Sequence, residues 1–257
     1  MKFTKMEGLG NDFVVVEADQ VAPADVRRWC DRRRGIGADG VLALDHSPAM
    51  RYWNADGGAA QMCGNGLRCV ARYATDRGWQ KAGEWFEVTT PVGPRRVRVD
   101  DDSVNAEIGP VKLGEELTIE GRTFRHASIG NPHAVTMVDD PDAVDVASIG
   151  QKVGANSAFP EGANVEFVAK TKAGIRLRVW ERGIGETLAC GSGMVVAAAV
   201  AAGSEDGPIT VSVPGGDAVV YFEDGSGFLI GPAVTVFTGD ISVGRAETDL
   251  SANDARR

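Results

Sequence analysis

No apolar run in this chain approaches the roughly 20 residues a membrane-spanning helix needs. The longest, Met194 to Ala202, reads instead as a buried helix. The opening residues, Met1-Lys2-Phe3-Thr4-Lys5-Met6-Glu7, lack the apolar core of a secretory leader, so a cytoplasmic location and no membrane partner are expected. Cysteine and histidine are scarce. Cys30, Cys63, Cys69 and Cys190 contain no CxxC pair and only three histidines could assist them, which excludes a structural zinc; the cysteines are expected as thiols and no metal is expected. Positive charge is also short: 36 acidic against 27 basic residues leave a net charge of −9. The basic runs Arg27–Arg28, Arg32–Arg34 and Arg95–Arg98 are brief and flanked by acids, which argues against a nucleic-acid partner.

Glycine, by contrast, is abundant at 33 of 257 residues, pointing to many turns and much β structure. The chain also repeats itself. Shifted by 127 residues, Arg51 to Ala74 falls on Arg178 to Ala201 without a gap. Arg51/Arg178, Trp53/Trp180, Gly58/Gly185, Cys63/Cys190, Gly64/Gly191, Gly66/Gly193, Ala71/Ala198 and Ala74/Ala201 match. A weaker echo relates Gly10-Asn11 to Gly130-Asn131. Duplication at this spacing implies two related domains, expected over 1–112 and 113–246, with a disordered polar tail over 247–257.

Each half is expected to open on a strand leading to Gly-Asn, with further strands at Phe13–Glu17 and Ala134–Val138. Met50–Trp53 and Ile175–Trp180 alternate apolar and basic residues, then run into a Gly-rich loop ending in Cys-Gly-x-Gly. Helices are predicted at Leu67–Asp76, ended by Gly78, and at Met194–Ala202, ended by Gly203. A short helix over Arg27–Arg33 is expected in the first half only. Most of the remainder reads as short strands.

A cysteine where a Gly-rich loop meets a helix sits in the positive end of the helix dipole, beside N–H groups without intrahelical partners. That setting favours the thiolate and suits anion binding. Two such cysteines on duplicated domains would face one cleft. Two opposed acid/base groups suit inversion at a carbon bearing an acidic hydrogen: one thiolate removes the proton and the opposite thiol returns one to the other face. No cofactor is needed in that scheme, and no GxGxxG fingerprint follows a strand. Cys30 and Cys69 read as small core residues, His46 and His126 as surface or satisfied groups, Trp53 and Trp180 as core anchors; His133, in Gly-Asn-Pro-His, is a better site candidate.

These motifs resemble the diaminopimelate epimerase family. The likeness is carried by Glu7-Gly8-Leu9-Gly10-Asn11-Asp12-Phe13, Gly35-Ile36-Gly37-Ala38-Asp39-Gly40, Asn54-Ala55-Asp56-Gly57, Cys63-Gly64-Asn65-Gly66-Leu67-Arg68-Cys69, Gly130-Asn131-Pro132-His133, and Glu181-Arg182-Gly183 through Cys190-Gly191-Ser192-Gly193. The resemblance implies an α+β fold of two pseudo-symmetric domains, each a β-barrel-like sheet around a central helix, with the last strand, near 235–243, returning to the first domain. It further implies a cofactor-independent isomerase, usually a homodimer, that interconverts LL- and meso-diaminopimelate for lysine and peptidoglycan precursors. By motif, Cys63 and Cys190 resemble the acid/base pair, with His133 and Glu181 orienting or polarising them. Asn11, Gly64, Asn65, Gly191 and Ser192 would hold the reacting amino-acid end; Asn54, Asn131, Asn164 and Arg182 would bind the distal end.

Two positions depart from the family pattern: Gly58-Ala59 stand where Ser-Glu is usual, and Gly40 where some members have Gln. Three other readings compete. A proline or hydroxyproline racemase would also use paired cysteines but would leave Asn54, Asn131, Asn164 and Arg182 without a task. A thiol redox sensor would oxidise Cys63 and Cys190 across the cleft, and a non-catalytic duplicated binding module would tolerate loss of either cysteine.

Overall fold

A computed structural model describes residues 1–60, 62–202 and 207–241. In the first half the elements run β1 (Lys2–Gly8), β2 (Asn11–Glu17), α1 (Pro23–Cys30), β3 (Gly40–Leu44), β4 (Arg51–Asn54), β5 (Ala59–Ala60), α2 (Gly64–Asp76), β6 (Trp85–Thr90), β7 (Gly93–Val99) and β8 (Val104–Pro110). The second half follows with β9 (Lys112–Ile119), β10 (Arg122–Ser128), β11 (Pro132–Met137), α3 (Val146–Gly154), β12 (Asn164–Thr171), β13 (Gly174–Glu181), β14 (Gly185–Thr187), α4 (Gly191–Ala202), β15 (Ile209–Val213), β16 (Gly216–Glu223), β17 (Ser226–Gly231) and β18 (Val234–Asp240).

The duplication read from the sequence extends to strand pairing. The β1–β2 hairpin is antiparallel, as is β10–β11; β2 pairs β3 in parallel as β11 pairs β12, and β3–β4 and β12–β13 are antiparallel. One edge strand crosses between the halves: β9 pairs β10 within the second half, while β18, arriving from the second half, pairs β1 of the first. The first sheet has the order β18-β1-β2-β3-β4-β5; the second holds eleven strands in the order β6-β7-β8-β17-β16-β15-β13-β12-β11-β10-β9, with β14 off this path on β13. The antiparallel β8–β17 pair carries that sheet across the two halves, and a lone parallel bridge, Ala49 to Thr89, links β6 back towards β4. The fold is thus α+β, with two sheet-rich domains and few helices.

Both long helices sit inside these sheets. Leu67, Cys69, Val70 and Ala71 of α2 and Met194 to Ala198 of α4 are fully buried. They belong to one continuous apolar cluster, so the central helices share a core instead of having one each. Two smaller clusters lie under α1, around Val26 and Trp29, and under α3, around Val146, Val153 and Phe167.

Three local readings are corrected. The first short helix spans Pro23–Cys30 and not Arg27–Arg33, because Pro23 starts it and Asp31 then accepts the Arg33 and Arg34 N–H groups, turning the chain. The short helix is not confined to the first half: α3 is its counterpart, capped by Asp145 accepting from Ser148 N–H. Two glycines and three β-branched residues weaken the α3 signal. Strands β3 and β17 were also not singled out from the sequence. Gly203, residues 242–243 of the expected return strand and the tail from Glu247 lie outside the described residues.

Candidate active site

α2 and α4 each begin one residue after a cysteine, and each sulfur caps its helix. Cys63 Sγ accepts from Gly66 N–H at 3.4 Å, and Cys190 Sγ accepts from Gly193 N–H while lying 3.4 Å from Ser192 Oγ. The two helix ends meet. A Cβ added at Gly191 would lie 3.1 Å from Gly64 Cα, and one added at Gly64 would lie 3.3 Å from Gly191 Cα. Glycine at both positions allows two positive helix termini to approach one point, which without an anion between them is electrostatically unfavourable.

Charged neighbours fix how the amides of this site are turned. Asp39 Oδ2 accepts from Asn11 Nδ2 at 2.7 Å, so Asn11 Oδ1 must face the other way. There it accepts from the Cys63 thiol at 3.6 Å and from Asn65 Nδ2 at 3.3 Å. Asn65 is oriented in turn by Arg68, whose Nη2 donates to Asn65 Oδ1 at 3.0 Å; Asn65 Nδ2 also reaches Ala189 O, 3.0 Å away and next to the second cysteine. Asn11, Cys63, Asn65 and the Cys190 loop therefore form one hydrogen-bonded group.

Around Cys190 the partners are acidic. Its thiol donates to the half-buried Glu181 carboxylate, which Thr187 Oγ1 also supports. Behind Cys190, His133 and Glu166 are both completely buried and joined Nδ1 to Oε1 at 2.6 Å. Glu166 Oε1 would lie 2.8 Å from a Cβ at Gly193, placing this carboxylate against the first turn of α4. His133 Nε2 is 3.1 Å from Asn131 Oδ1 and 3.5 Å from Asn164 Nδ2, and Asn164 Oδ1 accepts from the Arg182 N–H at 2.8 Å. His133, Asn131, Asn164 and Arg182 thus form a second group. Asn54, at the end of β4, stands apart: among the described residues no hydrogen bond ties its side chain to either group.

The expected lowering of the thiol pKa is not what this geometry produces. Burial pushes the Cys63 thiol from 9.0 to about 11, with the Gly66 and Asn65 N–H groups acting in the expected direction but outweighed, and Glu181 adding to the rise. Burial raises Cys190 well above its ordinary value, and both Glu181 and Glu166 add to that. Burial also raises the Glu181 carboxyl, against the hydrogen bonds from Thr187 and Cys190. At both thiols burial thus outweighs the helix-end N–H groups.

Beside Asn11, burial raises the Asp12 carboxyl, but hydrogen bonds from Arg32 and Lys5 outweigh it and take its pKa from 3.8 to about 2. A depressed carboxyl stabilises the fold above its unfolded pKa and loses that contribution as pH falls through the folded value. The urea midpoint is therefore expected to fall between pH 3.8 and about 2, with a shallower fall in Asp12→Asn. Parallel curves would remove Asp12 from the acid response.

The departure at Gly40 has a local explanation, and nothing in the structure explains Gly58-Ala59. A Cβ at Gly40 would lie 2.5 Å from both Trp53 O and Tyr52 Cε2, so this backbone has no space for a glutamine. Gly58 N–H donates to Asp56 Oδ1 at 2.7 Å, so Asp56 organises that turn.

Four residues absent from the sequence-derived site belong to it: Asp39, Arg68, Glu166 and Thr187. Glu166 carried a signal, as a lone carboxylate inside the apolar run Val165-Glu166-Phe167-Val168-Ala169. Asp39 and Arg68 lay within quoted motifs, but the partner of Asp39, Asn11, is 28 residues away, and the full burial of Arg68 cannot be read from its motif.

The family model described as diaminopimelate epimerase matches residues 3–114 and 125–239. Relatives bearing that name include proteins of Alkalilimnicola ehrlichii, 41% identical across 94% of this chain and 98% of the relative, and of Moorella thermoacetica, 40% identical across 93% and 99%. Among solved structures, a Bacillus anthracis phenazine biosynthesis protein of the PhzF family aligns with TM-score 0.72 at 15% identity, over 95% of this chain and 99% of that one. A probable proline racemase from Agrobacterium radiobacter aligns with TM-score 0.73 at 14% identity, over 95% and 93%. At such identities these structures share the fold alone. The match over nearly the whole chain, with relatives near 40% identity, makes this protein a member of the diaminopimelate epimerase family.

Proposed function

We propose that this protein interconverts LL- and meso-diaminopimelate, without a cofactor, by proton transfer between Cys63 and Cys190. The observation that carries the reading is the meeting of two cysteine-capped helix termini at Gly64 and Gly191. An α-carboxylate placed between them receives N–H groups from both, and the charge that spreads onto it when the α-proton leaves is held by both helix ends. The substrate α-ammonium brings further positive charge to the thiols, above all to Cys190, whose charged neighbours are carboxylates. One thiolate takes the α-proton, the electron pair delocalises into the carboxylate, and the opposite thiol protonates the other face; the sulfurs exchange roles for the other stereoisomer.

Asn11 and Asn65, locked by Asp39 and Arg68, hold the reacting end, together with Gly64, Gly191 and Ser192. Glu181 and the His133–Glu166 pair orient the Cys190 side. Asn54, Asn131, Asn164 and Arg182 bind the distal amino-acid end, where a planar guanidinium suits a carboxylate and an amide both donates and accepts. The reaction serves lysine and peptidoglycan precursor synthesis in the cytoplasm. We place the homodimer contact on the β18 edge, where Val234, Val236 and Phe237 are exposed among the described residues.

The test is chromatographic separation of the isomers. Incubated with reductant alone, purified enzyme should bring pure LL and pure meso substrate to the same final mixture; an unchanged isomer in both reactions contradicts the reading.

A further inference from the structure

Arg68 is completely buried, yet its hydrogen bonds all end on uncharged oxygens: Pro232 O at 3.2 Å, Gly64 O at 3.4 Å and Asn65 Oδ1 at 3.0 Å. A buried cation normally sits on a carboxylate, and arginine cannot relieve the mismatch by losing its proton. Its side chain folds back along α2 towards the turn that Cys63 caps, as helical geometry dictates. The guanidinium is also packed tightly: Cβ atoms added at Gly8 and Gly231 would lie 3.2 Å and 3.4 Å from it.

The groups facing Cys63 divide by sign. Arg68 and the Gly66 and Asn65 N–H groups of α2 favour its thiolate; Glu181 from β13 and Asn11 Oδ1 from β2 oppose it, Tyr52 of β4 and Cys69 of α2 are un-ionised neighbours, and Glu7 from β1 faces Arg68 itself. Cys190 differs, because its charged neighbours Glu181 and Glu166 are both carboxylates.

We infer that Arg68 is a positioning residue that supplies the countercharge to the Cys63 thiolate, so that in the ligand-free protein Cys63 ionises before Cys190. The inference deepens the two-thiol reading and rests on it for its catalytic meaning. It makes the duplicated site electrostatically unequal: the stereoisomer that presents its α-proton to Cys63 meets the readier base.

The test is alkylation by iodoacetamide as a function of pH, read peptide by peptide with mass spectrometry on the full chain. Only thiolate reacts, so each midpoint reports one sulfur. The buried Cys30 and Cys69 are internal controls. In the natural protein Cys63 should react at lower pH than Cys190. In Arg68→Gln its midpoint should rise by about one pH unit or more, which is about a tenfold slower reaction at fixed pH below it. Cys190 should stay where it was, and Arg68→Lys should restore most of the Cys63 shift.

An unmoved Cys63 midpoint in folded Arg68→Gln overturns the assignment, as does an Arg68→Lys that behaves like the glutamine variant. If Arg68→Gln does not fold by circular dichroism, the natural protein still decides: Cys190 reacting at lower pH than Cys63 overturns it. Alkylation needs no substrate, so failure to turn over diaminopimelate would sink the proposed reaction without touching this result.

Discussion

Cys63→Ala and Cys190→Ala should each lower kcat for isomer interconversion by about 10²–10⁴-fold or more, the range expected when a positioned acid or base is removed. The losses should not multiply in the double variant, because inversion needs both sulfurs and either deletion already breaks the relay. Each single variant should retain partial exchange of an α-proton with solvent, restricted to the stereoisomer that presents its proton to the surviving cysteine. The fold should persist. Each sulfur caps one helix, and loss of a cap is worth about 0.5–2 kcal/mol, within the range that a urea midpoint resolves without global unfolding. A folded variant of either cysteine that still interconverts isomers at the natural rate would contradict the two-thiol scheme.

His133→Leu should lower unfolding free energy by about 1–3 kcal/mol, the usual cost of leaving a buried polar group without its hydrogen-bond partner. The reason is visible in the partner. Glu166 is completely buried, its Oε2 has no hydrogen-bond partner among the described residues, and its Oε1 depends on His133. The double variant His133→Leu/Glu166→Leu should recover much of the loss, since removing both polar partners leaves no isolated carboxylate. Urea denaturation of the two single variants and the double variant measures the coupling. Additive losses, or a His133→Leu within about 1 kcal/mol of the natural protein, would show that the pair is not a coupled unit.

Much of this architecture could be read from residues because the chain was duplicated and its punctuation was strong. The repeat between Arg51–Ala74 and Arg178–Ala201 located both loops and both central helices, and the Cys-Gly-x-Gly pattern placed each cysteine at a helix start. The return of β18 to β1 depends on register and not on composition, and the shared core of α2 and α4 follows from helix termini meeting at glycine. Asp39 and Arg68 were hidden for a related reason: each acts by turning an asparagine amide, and the Asp39–Asn11 bond joins residues 28 apart in sequence. The thiol environment was misjudged because dipole and N–H effects can be read from position, whereas burial cannot.

The most direct test of the central claim is proton NMR in deuterated buffer with a thiol reductant, using meso-diaminopimelate in one tube and L-proline in another. The α-proton signal of diaminopimelate should vanish while that of proline persists. Exchange of proline with none of diaminopimelate would contradict the proposed substrate and leave the paired cysteines serving a substrate with no distal amino-acid end.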